Sequence, residues 1–255
     1  LLPIAYRLSP MSHPTDIRVQ AVRLYFLPVQ TRVPLKFGPE TLTSVTCARV
    51  CVTVEDRQGR TIEGWGETPL SVQWVWPGTL SYETRHQALR EFCARLAQAW
   101  SRFDASGHPL ELGWDFQSGV LPQLLEQFND ERKSGVGEPG RAAGSPAFEP
   151  MPWLAALVCG SAFDIAAHDA FGRLAQRPVY ETYNAQYLSR DLGDFLQPAA
   201  GADIRFKGQY PVDYLVARPP TSLRAWHLVG GLDPLAPDDL TGREQIGRAS
   251  CRERV

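Results

Sequence analysis

The strongest constraint on the fold is one long run of small and apolar residues in the second half of the chain. Residues 152–183 read PWLAALVCGSAFDIAAHDAFGRLAQRPVYETY. Side chains such as Leu154 and Leu157 recur at helical spacing, and alanine, glycine and serine dominate the rest. Pro152 suits the first turn of a helix, and Pro178 ends the pattern. Because small side chains permit close approach, the run predicts a tightly packed helix.

Three segments near the start of the chain are rich in β-branched and aromatic residues and predict strands. They are residues 17–29, residues 44–55 and the shorter, glycine-containing residues 61–67. The sequence DRQG at residues 56–59 is a turn signal between the second and third segments. We therefore expect a three-stranded antiparallel meander, which needs a helical layer to cover its apolar face.

The helical layer follows in the sequence, so the predicted fold class is α+β. Apolar side chains repeat every three or four positions over residues 81–103, which predicts an amphipathic helix with Ser81 as its N-cap. A shorter helix is predicted over residues 121–128. Residues 107–117 are interpreted as a loop. Residues 129–150 are interpreted as a long flexible loop, because glycine, proline and charged residues are abundant there.

Composition favours an ordinary globular protein. The 255 residues carry a formal net charge of −2, so nothing indicates a nucleic-acid partner. We find no apolar run long enough to cross a bilayer and no signal-peptide pattern, and we expect no membrane partner. The five cysteines form no C-x-x-C pair, which is typical of reduced thiols in a cytoplasmic protein. Cys47 and Cys51 lack a second pair of ligands nearby, so we expect them in a strand rather than in a metal site.

The end of the chain, QIGRASCRERV at residues 245–255, carries three arginines and no apolar pattern. One interpretation is a basic interaction tail, and the other is a translated reagent sequence. With the permissible codons ATC GGA AGA GCG TCG TGT AGG GAA AGA GTG, residues 246–255 reproduce a common short-read sequencing adapter in frame. We favour the second interpretation. It implies that the natural gene continues beyond Glu244 and that Cys251 has no function.

Three stretches occur together in a known order: RVPLKFGPETLTS with VTVEDRQGRTIEGWGETPLS (residues 32–44 and 52–71), SAFDIAAHDAFGRLAQRPVYE (161–181) and RAWHLVGGLDP (224–234). They resemble, in turn, the capping-domain meander, a helix motif Ala-x-Asp-x-Ala-x-x-Asp followed by Pro-Val-Tyr, and the first barrel strand of the enolase superfamily. The branch is that of mandelate racemase and muconate-lactonising enzyme. The family's usual Leu-Leu-Gly after Pro-Val-Tyr is replaced by Glu-Thr-Tyr, which marks an unusual subfamily.

The resemblance implies a capping domain followed by a (β/α) barrel, of which this chain would carry only the first strand, at residues 222–229. It implies a Mg²⁺-dependent enzyme that abstracts the proton α to the carboxylate of a small substrate. Racemisation, epimerisation, cycloisomerisation or dehydration would follow. In the family, the lysine bases and the carboxylates that hold Mg²⁺ lie on later barrel strands. We therefore assign no catalytic or metal-binding residue here and expect this chain alone to be inactive. Family members often assemble as oligomers.

Two cap loops close over the barrel mouth in the family, and they match residues 31–38 and residues 68–78 here. The resemblance implies substrate contacts by Arg32, Lys36, Phe37, Trp74, Trp76 and, on the barrel strand, His227. Lys36 would pair with a substrate carboxylate, and Phe37 would form a water-excluding lid with the two tryptophans. Two alternatives stay open: loops packed on their own domain with Lys36 in solvent, and His227 as a packing residue.

Asp164 and His168 lie four residues apart on one face of the predicted helix, with Asp169 beside them. A histidine with a carboxylate is a general-base arrangement and would be the centre of a small hydrolase. A metal site needs at least three ligands, and the neighbours here are apolar. We therefore favour a buried histidine held by the aspartate of the preceding turn. Glu67, at a strand end, is interpreted as a structural hydrogen-bond partner.

The predicted organisation has five parts: an unstructured start (1–14), a capping domain (15–150), a packing-helix region (151–183), a linker with the first barrel strand (184–244) and the adapter-derived end (245–255). The chain begins with Leu1 rather than methionine, so we expect a fragment or a reading frame entered upstream of its start. The alternative function is a non-catalytic binding or scaffold protein with the same fold. A Lys-x-Lys motif encoded beyond Glu244 would favour the enzyme.

Overall fold

In the computed structural model, the chain is described at residues 13–37, 40–135, 148–216, 218, 220–224, 236–239 and 242. The predicted barrel strand falls largely outside these residues, as do His227 and residues 245–255. Residues 222–224 are irregular rather than extended in a ladder. Within the described part, a three-stranded sheet is packed against helices, which confirms the predicted α+β class.

The sheet is an antiparallel meander of β1 (Ile17–Phe37), β2 (Glu40–Asp56) and β3 (Thr61–Pro69), in that spatial order. This confirms the predicted meander, but β1 and β2 are longer than expected. Residues 31–37 were predicted to be a loop and instead continue β1, with Lys36 opposite Thr41. The prediction failed because Pro34 interrupts the pattern. The ladder accommodates that proline through a register shift between Gln30 and Leu35.

The two faces of the sheet alternate along each strand, as its pleat requires. Val50, Val52 and Val54 point toward the helices and are fully buried. The outer face carries Tyr25 and Trp65, whose rings stack at 6.1 Å across β2 while each stays about two-fifths exposed. Cys47 and Cys51 lie on β2, as expected, and are buried free thiols.

Among the described residues, five α-helices follow the sheet: α1 (Val72–Val75), α2 (Tyr82–Ser101), α3 (Pro109–Asp115), α4 (Leu121–Lys133) and α5 (Trp153–Ala175). One π-helical turn (Phe116–Val120) joins α3 to α4. Short 3₁₀ turns lie at Val179–Thr182, Leu192–Asp194, Pro211–Tyr214 and Pro237–Asp239. The predicted N-cap of α2 is confirmed, since the Ser81 hydroxyl accepts a hydrogen bond from the Thr84 amide at 3.1 Å.

Two predicted loops are partly helical, and an unusual cap explains the first error. Residues 107–117 contain α3, which His108 caps from its side chain while Glu111 completes a capping box and Pro109 opens the helix. Histidine is a less familiar cap than serine or aspartate, so the signal was missed. Residues 129–133 continue α4. The Asn129 amide then holds the Met151 backbone through bonds of 2.7 and 3.1 Å, while residues 136–147 lie outside the described part.

The long helix α5 lies beneath the sheet, as its small side chains predicted. A Cβ on Gly66 would overlap the Ala162 carbonyl oxygen, and one on Gly64 would overlap the Ala170 backbone. The helix ends at Ala175 and is capped by left-handed Gln176, shortly before Pro178. By length and composition α5 is apolar enough to cross a membrane, contrary to our expectation, although half of that stretch is buried within the described structure.

Candidate functional site

The register of the sheet brings the two predicted cap loops to the same end of the molecule. β3 stops at Pro69, opposite Cys47 of β2, and Leu27 of β1 pairs with the same Cys47. Beyond this point β1 and β2 continue alone as a two-stranded arm, residues 28–37 and 40–46, which we call the hairpin arm. The chain leaving β3 therefore enters α1 at the base of the hairpin arm.

A backbone contact fixes this junction. The Leu70 amide donates to the Thr46 carbonyl oxygen at 2.8 Å, which extends the pairing one step past β3 before the chain turns into α1. Residues 68–78 are thus the end of β3 followed by a one-turn helix, rather than the predicted loop. We call the hairpin arm and α1 together the hairpin end.

Three predicted substrate residues belong to the hairpin arm. Phe37 is the last residue of β1 and pairs with Glu40 of β2, next to the pair of Lys36 with Thr41. Arg32 lies within the register shift between Gln30 and Leu35. The side chains of Arg32, Lys36 and Phe37 are outside the described part of the structure. Their predicted contacts with substrate stay predictions, now with a backbone position at the hairpin end.

The two tryptophans of the second segment have opposite environments. Trp74 lies on α1 and is 52% exposed, whereas Trp76, two residues later, is 2% exposed and belongs to the hydrophobic core. Trp76 directly follows α1 and turns into the core, so the segment exposes the Trp74 ring and buries the Trp76 ring. Trp76 is therefore corrected from a lid residue to a packing residue, and Trp74 is left as the exposed aromatic ring of α1.

Polar contacts hold α1 and the segment after it against the domain. The Arg85 guanidinium, itself buried, donates to the Trp76 carbonyl oxygen. The Glu149 carboxylate accepts hydrogen bonds from the amide (2.8 Å) and hydroxyl of Thr79, and these bonds lower the pKa of Glu149. These contacts follow Trp74 and the Leu70 contact precedes it, so the backbone that carries Trp74 is fixed on both sides.

The predicted pairing of Asp164 with His168 is present in modified form. The Nδ1 of His168 lies 2.9 Å from the Asp164 backbone carbonyl oxygen and 3.6 Å from its carboxylate. The closer partner is thus the helix backbone, and His168 is mostly buried, as favoured over a hydrolase centre. Burial raises the pKa of Asp164, and the positive charge of protonated His168 opposes that rise.

Sequence reasoning missed a buried polar cluster around His108. Its Nδ1 accepts from the Leu110 amide at 3.1 Å, and its Nε2 lies 3.0 Å from the Thr182 hydroxyl. The pKa of His108 is lowered to about 3, mainly because the ring is buried and to a smaller extent because His168 and His13 lie nearby. The ring is therefore neutral at physiological pH, with Nε2 as the donor. A fully buried neutral histidine that caps a helix is a structural latch.

Glu111 completes this cluster. Its carboxylate accepts from the amides of Ser189 and Arg190, each at 2.8 Å, and from the His108 amide at 3.1 Å. The Arg190 guanidinium bonds Asp115 at 2.8 Å and the Glu111 backbone oxygen at 3.0 Å. These bonds attach the irregular segment after α5 to α3. The sequence His-Pro-x-Glu at residues 108–111 was the available signal, since it spells a capping box.

The described residues offer no metal centre. Within that part of the chain, no group of three or more histidine, cysteine, aspartate or glutamate side chains is placed to hold an ion. The described residues therefore do not fit a Mg²⁺ site.

The comparisons with known proteins gave matches among solved structures. No family model matches the sequence, and no curated protein matches it. A dipeptide epimerase from Enterococcus faecalis V583, complexed with Mg and a dipeptide, is 18% identical with a TM-score of 0.35, and the match covers 66% of this chain and 35% of that one.

Two further solved structures give similar values. A mandelate racemase/muconate lactonizing enzyme-like protein from Rubrobacter xylanophilus is 18% identical, with a TM-score of 0.33 and coverage of 65% of this chain and 33% of its own. An enolase from Bradyrhizobium, complexed with magnesium and mandelic acid, is 15% identical, with a TM-score of 0.32 and coverage of 65% and 34%. This chain spans about a third of the length of these structures.

Proposed function

We propose that the described residues form the capping domain of an enzyme that abstracts the proton α to a carboxylate of a small substrate. The observation that carries the proposal is the convergence of two separate segments at the hairpin end. The fold fixes the two segments beside each other, and it leaves Trp74 exposed although Val72, Val75 and Trp76 around it are buried. A capping surface needs this arrangement, because it must cover a substrate that another domain holds.

The hairpin end would act by binding and by excluding water. Trp74 offers an exposed ring that can close over the substrate, and removal of water strengthens the electrostatic interactions around a developing enolate. Lys36 and Arg32 place two cationic residues on the backbone of the hairpin arm, and either suits a substrate carboxylate. His227 remains proposed as a substrate contact from the first barrel strand.

The proton transfer itself would use groups outside the described residues. Because these residues form no metal site, we assign the Mg²⁺ ligands and the lysine bases to the barrel that the resemblance implies. Bound Mg²⁺ would supply stabilisation of the enolate. Two of the similar structures carry Mg together with a dipeptide or mandelic acid, both small carboxylates. We further propose a cytoplasmic location, which suits the buried free thiols, and an assembly of several copies.

The test is exchange of the substrate α-proton. The gene would be read from source DNA past residue 244, and the extended protein incubated with Mg²⁺ in deuterium oxide with dipeptides or mandelate. We expect Mg²⁺-dependent loss of the α-proton signal in the nuclear magnetic resonance spectrum. The present 255-residue chain is the matched control and should give no exchange. Substrate binding without any exchange by the extended protein would instead favour the non-catalytic binding or scaffold function.

A further inference from the structure

A cavity of about 220 Å³ lies between α2, the π-helical turn and α5, away from the hairpin end. Its apolar walls are Trp100, Phe116, Leu121 and Leu157. The rings of Trp100 and Phe116 stack at 4.2 Å with their planes 11° apart, which gives the cavity a rigid aromatic side. An apolar cavity of about 150 Å³ is large enough to take up benzene. This one has room for a single ring with a short substituent.

The cavity also has polar groups with unused hydrogen-bonding capacity. The indole N–H of Trp100 is buried and has no acceptor among the described residues. Ser161 donates its proton to the Val158 carbonyl oxygen at 2.8 Å, which leaves its oxygen free to accept. The Asp164 carboxylate lies on the same lining, and none of the described lining residues is basic. The lining therefore suits a ligand with a positive charge, together with an acceptor atom for the indole.

Gly160 is the second sign that the cavity is used. Glycine inside a helix costs about 1 kcal/mol relative to alanine, so it usually has a packing reason. Gly64 and Gly66 of β3 have such a packing reason, since a Cβ there would overlap the backbone of α5. A Cβ on Gly160 would meet nothing within 4 Å, although the residue lies in the middle of α5 and lines the cavity. Its lack of a side chain leaves the cavity open.

The π-helical turn supports the same conclusion. Phe116 and Gln117, which line the cavity, belong to the π-helical turn Phe116–Val120. Such single π turns are frequent at functional sites, and they shift side chains out of the regular α-helical positions. Here the turn sets Phe116 against Trp100 and so shapes the aromatic wall.

We propose that this cavity binds a small aromatic ammonium compound, with its ring against the Trp100–Phe116 wall and its ammonium group at the Asp164 carboxylate. A phenolic oxygen on the ring would provide the acceptor that the Trp100 N–H lacks. Tyramine has all three features and is the probe of choice. The site is separate from the hairpin end, so its occupancy does not depend on the proposed catalytic function.

The binding test uses three matched probes on the 255-residue chain, measured by saturation-transfer nuclear magnetic resonance and calorimetry. Tyramine is expected to bind. 4-Methylphenol, which lacks the ammonium group, should bind about fivefold more weakly, the worth of a half-exposed ion pair. 3-(4-Hydroxyphenyl)propanoate carries a negative charge in place of the ammonium group and should show no binding. Equal binding of the cationic and anionic probes, or no binding of tyramine, would overturn the proposal.

Variants locate the binding within the cavity. Gly160→Leu should fill it and weaken tyramine binding at least tenfold, while Gly160→Ala should have a smaller effect in a protein at least as stable as the wild type. Asp164→Asn should remove the preference for tyramine over 4-methylphenol. Glu126→Gln, which changes an exposed acid on α4, is the matched charge control and should bind like the wild type. Unchanged tyramine binding in both Gly160→Leu and Asp164→Asn would show that the site is elsewhere.

Discussion

The two sides of α5 use small residues for opposite purposes. On the side facing the sheet, Ala162 and Ala170 lie so close to Gly66 and Gly64 that no Cβ fits between helix and strand. On the other side, Gly160 faces open space and a cavity. Small residues thus permit close packing on one side of the helix and leave a gap on the other. Small side chains on a helix therefore predict close packing against a strand only where that strand has a glycine opposite them.

Toward the carboxyl end of α5, the side that carries the cavity is covered by His108. There the His108 ring packs edge-on against Phe171 at 4.6 Å and lies 6.2 Å from the His168 ring. His108 thus fills the space beside this end of α5, whereas the space beside Gly160 is a cavity. The contrast between the two sides can be tested with variants at four positions. They are Gly66 at the sheet contact, His108, Asp169 at the sheet edge and Gly160 at the cavity.

The largest effect is expected from Gly66→Ala. The added methyl group would overlap the backbone of α5, which cannot move without separating the helix from the sheet. Overpacking of a rigid core typically costs 1–3 kcal/mol, and a backbone clash should lie at the upper end, at about 3 kcal/mol. Urea denaturation measures the free energy of unfolding. A variant within about 0.5 kcal/mol of the wild type would show that this interface is looser than described.

Acid should weaken the histidine latch. Because the pKa of folded His108 is about 3 and that of an unfolded histidine is near 6.5, the unfolded state binds the proton more readily. The stabilisation from neutral His108 is complete above pH 6.5 and is lost progressively as the pH falls toward 3. Between pH 7 and pH 5 this amounts to about 2 kcal/mol of unfolding free energy.

The control for this acid effect is His108→Asn, which keeps a side-chain acceptor for the Leu110 amide but has no titrating group. Urea midpoints of wild type and variant would be compared at pH 7 and pH 5. The variant should lose clearly less stability over this interval. Parallel pH dependence in the two proteins would mean that His108 is not the group responsible.

A smaller effect is expected at the edge of the sheet. The Asp169 carboxylate of α5 accepts the Trp65 amide of β3 at 2.8 Å, so it satisfies a donor on an edge strand. Asp169→Ala should cost about 1 kcal/mol and speed hydrogen exchange of the Trp65 amide. Asp104→Ala, at an exposed aspartate after α2, is the matched control. Unchanged exchange at Trp65 in the Asp169 variant would refute the contact.

The smallest effect, with the opposite sign, is expected from Gly160→Ala. Nothing obstructs the new methyl group, and alanine favours the helix more than glycine does. The variant should be more stable by about 0.5–1 kcal/mol in the same urea experiment as Gly66→Ala. A loss of stability would show that the open side of α5 is closed by something that the described residues do not reveal.

Local patterns predicted the strands, α2 and α5, because each rests on a periodicity or a cap visible within a few residues. The errors arose where one residue contradicted its neighbourhood. Pro34 concealed the continuation of β1, and His108 acted as a cap in place of a more usual residue.

The candidate site was predicted less completely, for a geometric reason. The sequence placed Trp74 and Trp76 in one lid, but their burial depends on the direction of each side chain, one on α1 and one directly after it. The convergence of residues 31–38 and 68–78 was taken from family resemblance, and the strand register supplies its physical basis. The cavity beside Gly160 was not foreseen, since a gap between three elements leaves no local pattern.

The most direct test of the capping function compares two exposed tryptophans in the extended protein. Trp74 lies at the hairpin end, whereas Trp65, 42% exposed, lies on the outer face of the sheet. With Mg²⁺ present, Trp74→Ala should lower kcat/KM for α-proton exchange about tenfold, and Trp65→Ala should leave it within about twofold. Equal losses in the two variants, or a larger loss at Trp65, would contradict a substrate-facing role for the hairpin end.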